Sequence, residues 1–436
     1  MQVDPVSSAD APTALRPWQT LRAWRWRVFA STWLCYAGLY FCRKPFFITK
    51  SAVGEALNFD TVALSWIGTT YLVAYTLGQF VAAGLGQRVG ARRMLLGGMA
   101  VSVVSCAGFG VTTSLLAFSV LMVGLGLSQA TGWSGAVGCM AQWFRREERG
   151  TVMGFWATCY QVGGVAASAL AAWMLAHYGY QAAYYAGAAV LVAVWLFFFA
   201  NQRDKPEDLG FEPIVADDPT VLDERGAAAT SAGPGWSRNT WTTVLLVGAF
   251  YFSVKFIRYA LWSWAPFFLS RNFGLEGDDA GYISTLFDFF GIGGVVIAGF
   301  VSDRFFNGRR ARVSFYLLLG LLAACGALAT VGASSVTAFG ACMAAIGFCL
   351  YGPDALMTGA GAMDIGSKRG AIMAAGIING LGSVGSVAQE LIIGGLYKSG
   401  GGDLSPILML LLGAAGLATA TLSIVLIRNR MGLSDA

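Results

Sequence analysis

The chain has 436 residues, 56% of them hydrophobic and only 12% charged, with one histidine and a formal net charge of +5. Soluble domains carry about 25% charged residues, so the composition excludes that class. The positive balance does not point to nucleic acid, because the basic residues flank apolar runs of bilayer-crossing length.

Residues 1–23 are polar, lack the apolar stretch of a cleaved leader, and are expected to form a cytoplasmic N-terminal segment. Twelve spans follow, near residues 27–48, 62–84, 94–112, 115–140, 151–175, 182–201, 241–270, 281–302, 313–332, 337–362, 370–395 and 406–427. They form an N-terminal six-helix bundle (24–201) and a C-terminal one (240–428), with a short tail (429–436). Between the bundles, residues 202–239 hold Pro206, Pro213, Pro219 and Pro234 with no apolar stripe, and read as a cytoplasmic linker. Arg88, Arg92, Arg93, Arg145, Arg146, Arg304 and Arg309 fall in alternate loops, with only Lys50, Arg271 and Lys398 in the others. Basic flanks stay inside, so both termini and the linker are expected in the cytoplasm, with the chain in the cell (inner) membrane. The expected fold is thus an all-α integral membrane protein of twelve transmembrane helices in two pseudo-symmetric bundles.

The first span is apolar except for Arg43 and Lys44. A charge at bilayer depth costs about 2.5–3.5 kcal/mol on insertion scales, so two neighbours need something to offset them. Tyr36, Tyr40 and Arg43 are spaced four and three apart and share a helical face. Arginine's planar fork suits phosphate or carboxylate. Snorkelling to the interface is the rival reading, since both cations fall in the last third of the span. Span seven, the repeat partner of span one, carries Lys255 and Arg258 three apart and near its middle, where snorkelling is hard. Two cationic faces at equivalent positions argue for one shared anion site. Asp288, Asp354 and Glu390 also lie within spans and are expected to bridge to these cations. For Asp288 the bridge is expected to be linked to substrate; for the other two, an internal bridge and a proton-carrying group both stand.

The halves repeat. Gly84 to Arg93 after span two and Gly299 to Arg310 after span eight are similar loops, with Gln87 in the first where Asp303 stands in the second. Such duplication is expected of transporters that alternate access around a midplane site. The eight cysteines show no paired or ligand spacing, so no disulfide, metal or cofactor is expected. No nucleophile–base constellation is visible, and no enzyme activity is expected. His177 lies near an outer turn and reads as structural.

Several motifs together resemble the organophosphate:phosphate antiporters of the major facilitator superfamily. They are Tyr36 and Tyr40 with Arg43-Lys44, Gly132-Trp133, Trp143-Phe144, Glu148-Arg149-Gly150, Phe155-Trp156, Val162-Gly163-Gly164, the run Arg203 to Gly210, and Arg258-Tyr259 with Trp264 and Pro266. The resemblance covers nearly the whole chain. It implies that Arg43 and Arg258 clamp phosphate, that Tyr36, Tyr40 and Tyr75 line the site with Trp133 nearby, and that Asp288 pairs with Lys44. The glycerol-phosphate branch has His at Tyr160, Lys at Gln79, Tyr at Lys255 and an acid at Ser263. Eukaryotic exchangers carry the lysine at 255 but often lack the arginine at 258; this chain has both. The implied activity is exchange of a phosphorylated metabolite for inorganic phosphate by a monomer in the lipid bilayer. A sugar-phosphate sensor and a proton-coupled organic anion symporter are the alternatives.

Overall fold

The structure is a computed structural model and describes residues 20–214, 236–275 and 277–433. Most of the N-terminal segment with Arg16, the middle of the linker with Arg225 and the end of the tail lie outside the described residues. So do the side chains of Pro266, Arg271, Lys368, Arg369 and Lys398.

In the N-terminal half the helices are α1 (Leu21–Leu57), α2 (Thr61–Val89), α3 (Ala91–Val111), α4 (Leu115–Gln129), α5 (Thr131–Trp143), α6 (Arg149–Trp156), α7 (Thr158–Tyr178) and α8 (Tyr180–Asn201). In the C-terminal half they are α9 (Arg238–Phe273), α10 (Gly277–Phe306), α11 (Arg310–Val331), α12 (Val336–Ala355), α13 (Gly361–Ser399) and α14 (Ser405–Arg430). The fold is all-helical. Three features depart from the sequence expectation. Spans four and five are each two helices, interrupted at Ala130 and Ala157, whose backbone stays right-handed, so the chain keeps its course. Span ten passes from α12 through a π-helical turn, Leu356–Ala360. Helical bonding then continues through the loop expected between spans ten and eleven.

Among the described residues, ten helical stretches are long and apolar enough to cross a membrane, beginning at Ala91. The helices α1 and α2 fall short because they hold Arg43, Lys44, Tyr71, Tyr75 and Gln79. Thr20 starts α1 by accepting from the Ala23 amide (3.3 Å), and Asn58 at φ 55° ends it. Pro45 sits inside α1 and cannot donate to the Phe41 carbonyl. Gly187 of α8 presses against that carbonyl, where a Cβ would meet the oxygen at 2.1 Å.

Close helix contacts place the two cationic faces alike. Gly163 lets α7 reach the backbone of α1 at Ala37, and Gly385 lets α13 reach the Phe252 carbonyl of α9. Small residues at such crossings are the usual route to tight packing in lipid.

The halves meet on the face that carries the basic loops. Asp364, at the start of α13, accepts from Arg149 of the other half (2.8 Å) and lies 3.5 Å from Arg310 Nε and 3.8 Å from Arg146 Nε. Arg310 also pairs with Asp303, which accepts from the Thr151 amide across the halves. The Arg310, Arg149 and Asp364 side chains are 0%, 5% and 1% exposed, so the centre of this network is buried, while Arg146 joins it from the exposed rim. The linker also begins differently from expectation. Gln202 is fully buried, Trp143 Nε1 donates to the Arg203 (3.1 Å) and Asp204 (3.2 Å) carbonyls, and Asp204 accepts from the Arg92 amide at the start of α3 (2.7 Å). Its first residues are docked on the N-terminal half.

Candidate functional site

Between the halves lies a cavity of about 380 Å³, lined by Tyr40, Arg43, Lys44, Tyr71, Tyr75, Tyr160, Gln161, Arg258, Tyr259, Trp262, Asp288 and Tyr351 among others. A smaller chamber of about 20 Å³ continues it and adds Tyr36, Trp133, Tyr251, Lys255, Asp354 and Asn379. The lining residues Phe47, Val165, Ser168 and Trp262 lie away from the closed basic face, so the cavity opens toward the opposite side.

Each arginine stands between tyrosine rings. The Arg43 guanidinium lies 4.7 Å from the Tyr40 ring, 5.1 Å from Tyr75 and 5.8 Å from Tyr71. Its Nε donates to Gln129 Oε1 (2.8 Å), which also accepts from Tyr71 (3.1 Å), while the Gln129 amide donates to the Leu39 carbonyl (2.9 Å). One edge of the fork is therefore held, and Nη2 is buried without a protein partner. Arg258 lies between Tyr160 (4.7 Å) and Tyr351 (4.9 Å) and donates to Asp354 (2.8 Å). Aromatic faces attract cations and leave the guanidinium edge to bind an anion in its plane.

The remaining residues fall as follows. Lys255 is buried and donates to Asn379 (2.6 Å) and Ser383 (2.8 Å). Tyr36 packs edge-on against Trp133 (5.7 Å), whose indole N–H donates across the halves to the Thr358 carbonyl (3.1 Å). Tyr160 stacks on Tyr351 (6.0 Å) with its hydroxyl unpartnered. Gln79 is fully buried but lines neither cavity.

Two pairings differ from expectation. Asp288 and Lys44 share the cavity, but among the described residues no ion pair joins them. Asp288 accepts from the Tyr351 hydroxyl, and Lys44 Nζ lies 4.4 Å from the Trp262 ring of the other half. The phenol and the indole compete successfully because both are already in the cavity wall. Glu390 is exposed, lines neither cavity and bonds to Ser263, Trp264 and Gln389 rather than to a cation. It shares the face of α13 that holds Asn379 and Ser383 but stands further along the helix, beside Ser263 and Trp264 of α9, beyond reach of the cations.

Sequence reasoning passed over Gln129, Tyr71, Tyr351, Asn379 and Gln161, and named Tyr259 only as part of a motif. The spacing of Tyr71 and Tyr75, four apart as in Tyr36 and Tyr40, was a usable signal, as was Tyr351 three residues before Asp354.

Residues 32–389 match the Major Facilitator Superfamily. The membrane sensor protein UhpC of Escherichia coli is 29% identical over 385 residues, covering 85% of this chain and 86% of that protein. Sugar phosphate exchanger 3 of Bos taurus is 31% identical over 373 residues, covering 76% and 74%. The chain belongs to the organophosphate:phosphate antiporter family of the Major Facilitator Superfamily. The crystal structure of the superfamily transporter FucP in the outward conformation superposes with a TM-score of 0.71 at 11% identity, covering 91% of this chain and 98% of that one. That likeness is one of fold. As in other superfamily members, the arrangement is two bundles around a central cavity.

Proposed function

We propose that the protein exchanges a phosphorylated organic metabolite for inorganic phosphate by alternating access, with 24–201 and 240–428 as the two rocking bundles. The observation that carries this reading is the convergence of Arg43 and Arg258, one from each half, on one cavity. Arg43 has a free guanidinium edge, and Arg258 is held by a single carboxylate that an anion can displace. Charge-assisted bidentate bonds to a phosphoryl group are the strong form of this contact. The relatives named for sugar phosphate exchange support the class of substrate.

The closed basic face and the open opposite side correspond to an outward-facing state if the basic loops are cytoplasmic, as the charge bias requires. In this reading the chain is a monomer in the inner membrane with cytoplasmic termini, and it does no covalent chemistry on its cargo. The decisive test is counterflow: purified protein in phosphate-loaded liposomes takes up labelled phosphate, and unlabelled sugar phosphates compete. Absence of both overturns the reading. A second reading, a sensor that binds the ester without transporting it, is favoured by the likeness to UhpC. Binding without counterflow supports it.

A further inference from the structure

The phosphate clamp accounts for the inner end of the cavity and leaves its α7 wall unexplained. There Tyr160, Gln161, Gly164, Val165 and Ser168 face inward together. Gln161 is 8% exposed, and both its amide oxygen and its amide nitrogen lack a protein hydrogen-bond partner. Leaving such a group buried and unpaired is costly, so it marks a place where something else completes it. Its position is not a slack one. Gly163 seats α7 on the α1 backbone, where an added Cβ would meet Ala37 Cα at 2.7 Å. On the next turn, the open face at Gly164 looks toward Tyr40 and Lys44. The residue before Gln161 is Tyr160, whose ring covers Arg258. Gln161 therefore shares the cavity with both arginines and follows directly on the tyrosine that covers one of them.

We infer that Gln161 is a specificity-determining residue that binds a hydroxyl on the organic half of the substrate. This rests on the phosphate-ester reading above and adds the chemistry of the second group. An amide offers one acceptor and two donors, which matches a hydroxyl, itself donor and acceptor. It provides no charge to hold a second anion or an amine. Several other polar side chains of the cavity are already engaged: Asp288 accepts from Tyr351, Thr76 donates to the Leu72 carbonyl, and Lys44 lies over Trp262, while the neighbouring Tyr160 hydroxyl is unpartnered like the Gln161 amide. A site built to hydrogen-bond a hydroxyl rejects the analogue lacking it, because the buried amide is then left unpaired.

The test compares two esters of similar size, glycerol phosphate and n-propyl phosphate, by thermal stabilisation of the purified protein and by counterflow in phosphate-loaded liposomes. The wild type should prefer the hydroxylated ester by about tenfold or more. Gln161→Met, of similar length, should bring that ratio close to one. Gln161→Glu, which keeps the acceptors and loses the donors, should give an intermediate ratio and serves if the first variant does not fold. A purely structural role would weaken both esters together and leave the ratio intact, which overturns the inference. So does equal binding of the two esters by the wild type. If the binding preference is present and disappears in the variants but no counterflow occurs, exchange is overturned and the role of Gln161 stands. If neither ester nor phosphate binds, both readings fall.

Discussion

At the scale of residues, the arginines are defined by what surrounds them. Tyrosine rings cover the faces of both guanidinium groups, and Gln129 fixes one edge of Arg43. A lysine there would keep the charge and lose the planar fork. Arg43→Lys should therefore weaken phosphate binding more than tenfold, about 1.4 kcal/mol or more, by calorimetry on purified protein. Binding retained within a few-fold would place the anion elsewhere. Asp288 makes a different case. Asparagine in its place can still accept from Tyr351 while removing a negative charge from the cavity. Asp288→Asn should retain or tighten anion binding and slow turnover, read as a lower Kd with a lower exchange rate. Weaker binding with unchanged turnover would contradict this. The spacing of Tyr36, Tyr40 and Arg43 made one cationic face legible in the sequence, and Lys255 with Arg258 made the other. The partners were not legible. Whether Asp288 meets Lys44 or Tyr351, and how far along α13 Glu390 stands from the cations, depends on how neighbouring helices pack and slide against each other, and spacing within one span does not encode that.

Among the elements, span ten links the site to the closed face. Asp354 holds Arg258 at the cavity, and the π-helical turn Leu356–Ala360 follows directly after Pro353 and Asp354. Asp364, four residues beyond that turn, anchors the network with Arg149 and Arg310. Such bulges recur at functional sites. Here the Thr358 carbonyl is taken by Trp133 of the opposite half. Trp133→Phe keeps the aromatic packing and removes that hydrogen bond between the halves, at a cost of about 0.5–1.5 kcal/mol to the state seen here. The expected result is a shift of about two- to tenfold toward the form open on the basic face, measured as faster labelling of a cysteine placed at Ile372, which fills the space left by Gly86 and Gly138. Unchanged labelling would mean that this bond does not distinguish the two states. Hydropathy located the spans, yet it could not show this turn, since Leu356 to Ala360 are as apolar as their neighbours. The same index undervalues α1 and α2, because Arg43, Lys44, Tyr71 and Tyr75 of the cavity wall, together with buried Gln79, lower their score.

For the whole molecule, the balance of charge decides whether the empty carrier can turn over. Arg43, Lys44, Lys255 and Arg258 border the cavity and its inner chamber, against the carboxylates of Asp288 and Asp354, with Glu390 outside. The four cations thus exceed the two acids by the charge of one phosphate dianion. Closing the cavity without an anion would desolvate unpaired cations, and an uncompensated buried charge costs several kcal/mol. Even about 4 kcal/mol would slow return of the empty form roughly a thousandfold. A bound phosphate or ester removes that penalty, while Arg258 can exchange its Asp354 contact for the ligand and so loosen the helix that leads to Asp364. Reorientation should then be confined to the loaded form. Phosphate-loaded liposomes should take up labelled phosphate quickly, and empty ones about a hundred to a thousand times more slowly by the same barrier. Equal uptake into empty vesicles, or uptake driven by a proton gradient alone, would mean that the two carboxylates suffice to balance the site and that the transport cycle runs without a counter-substrate.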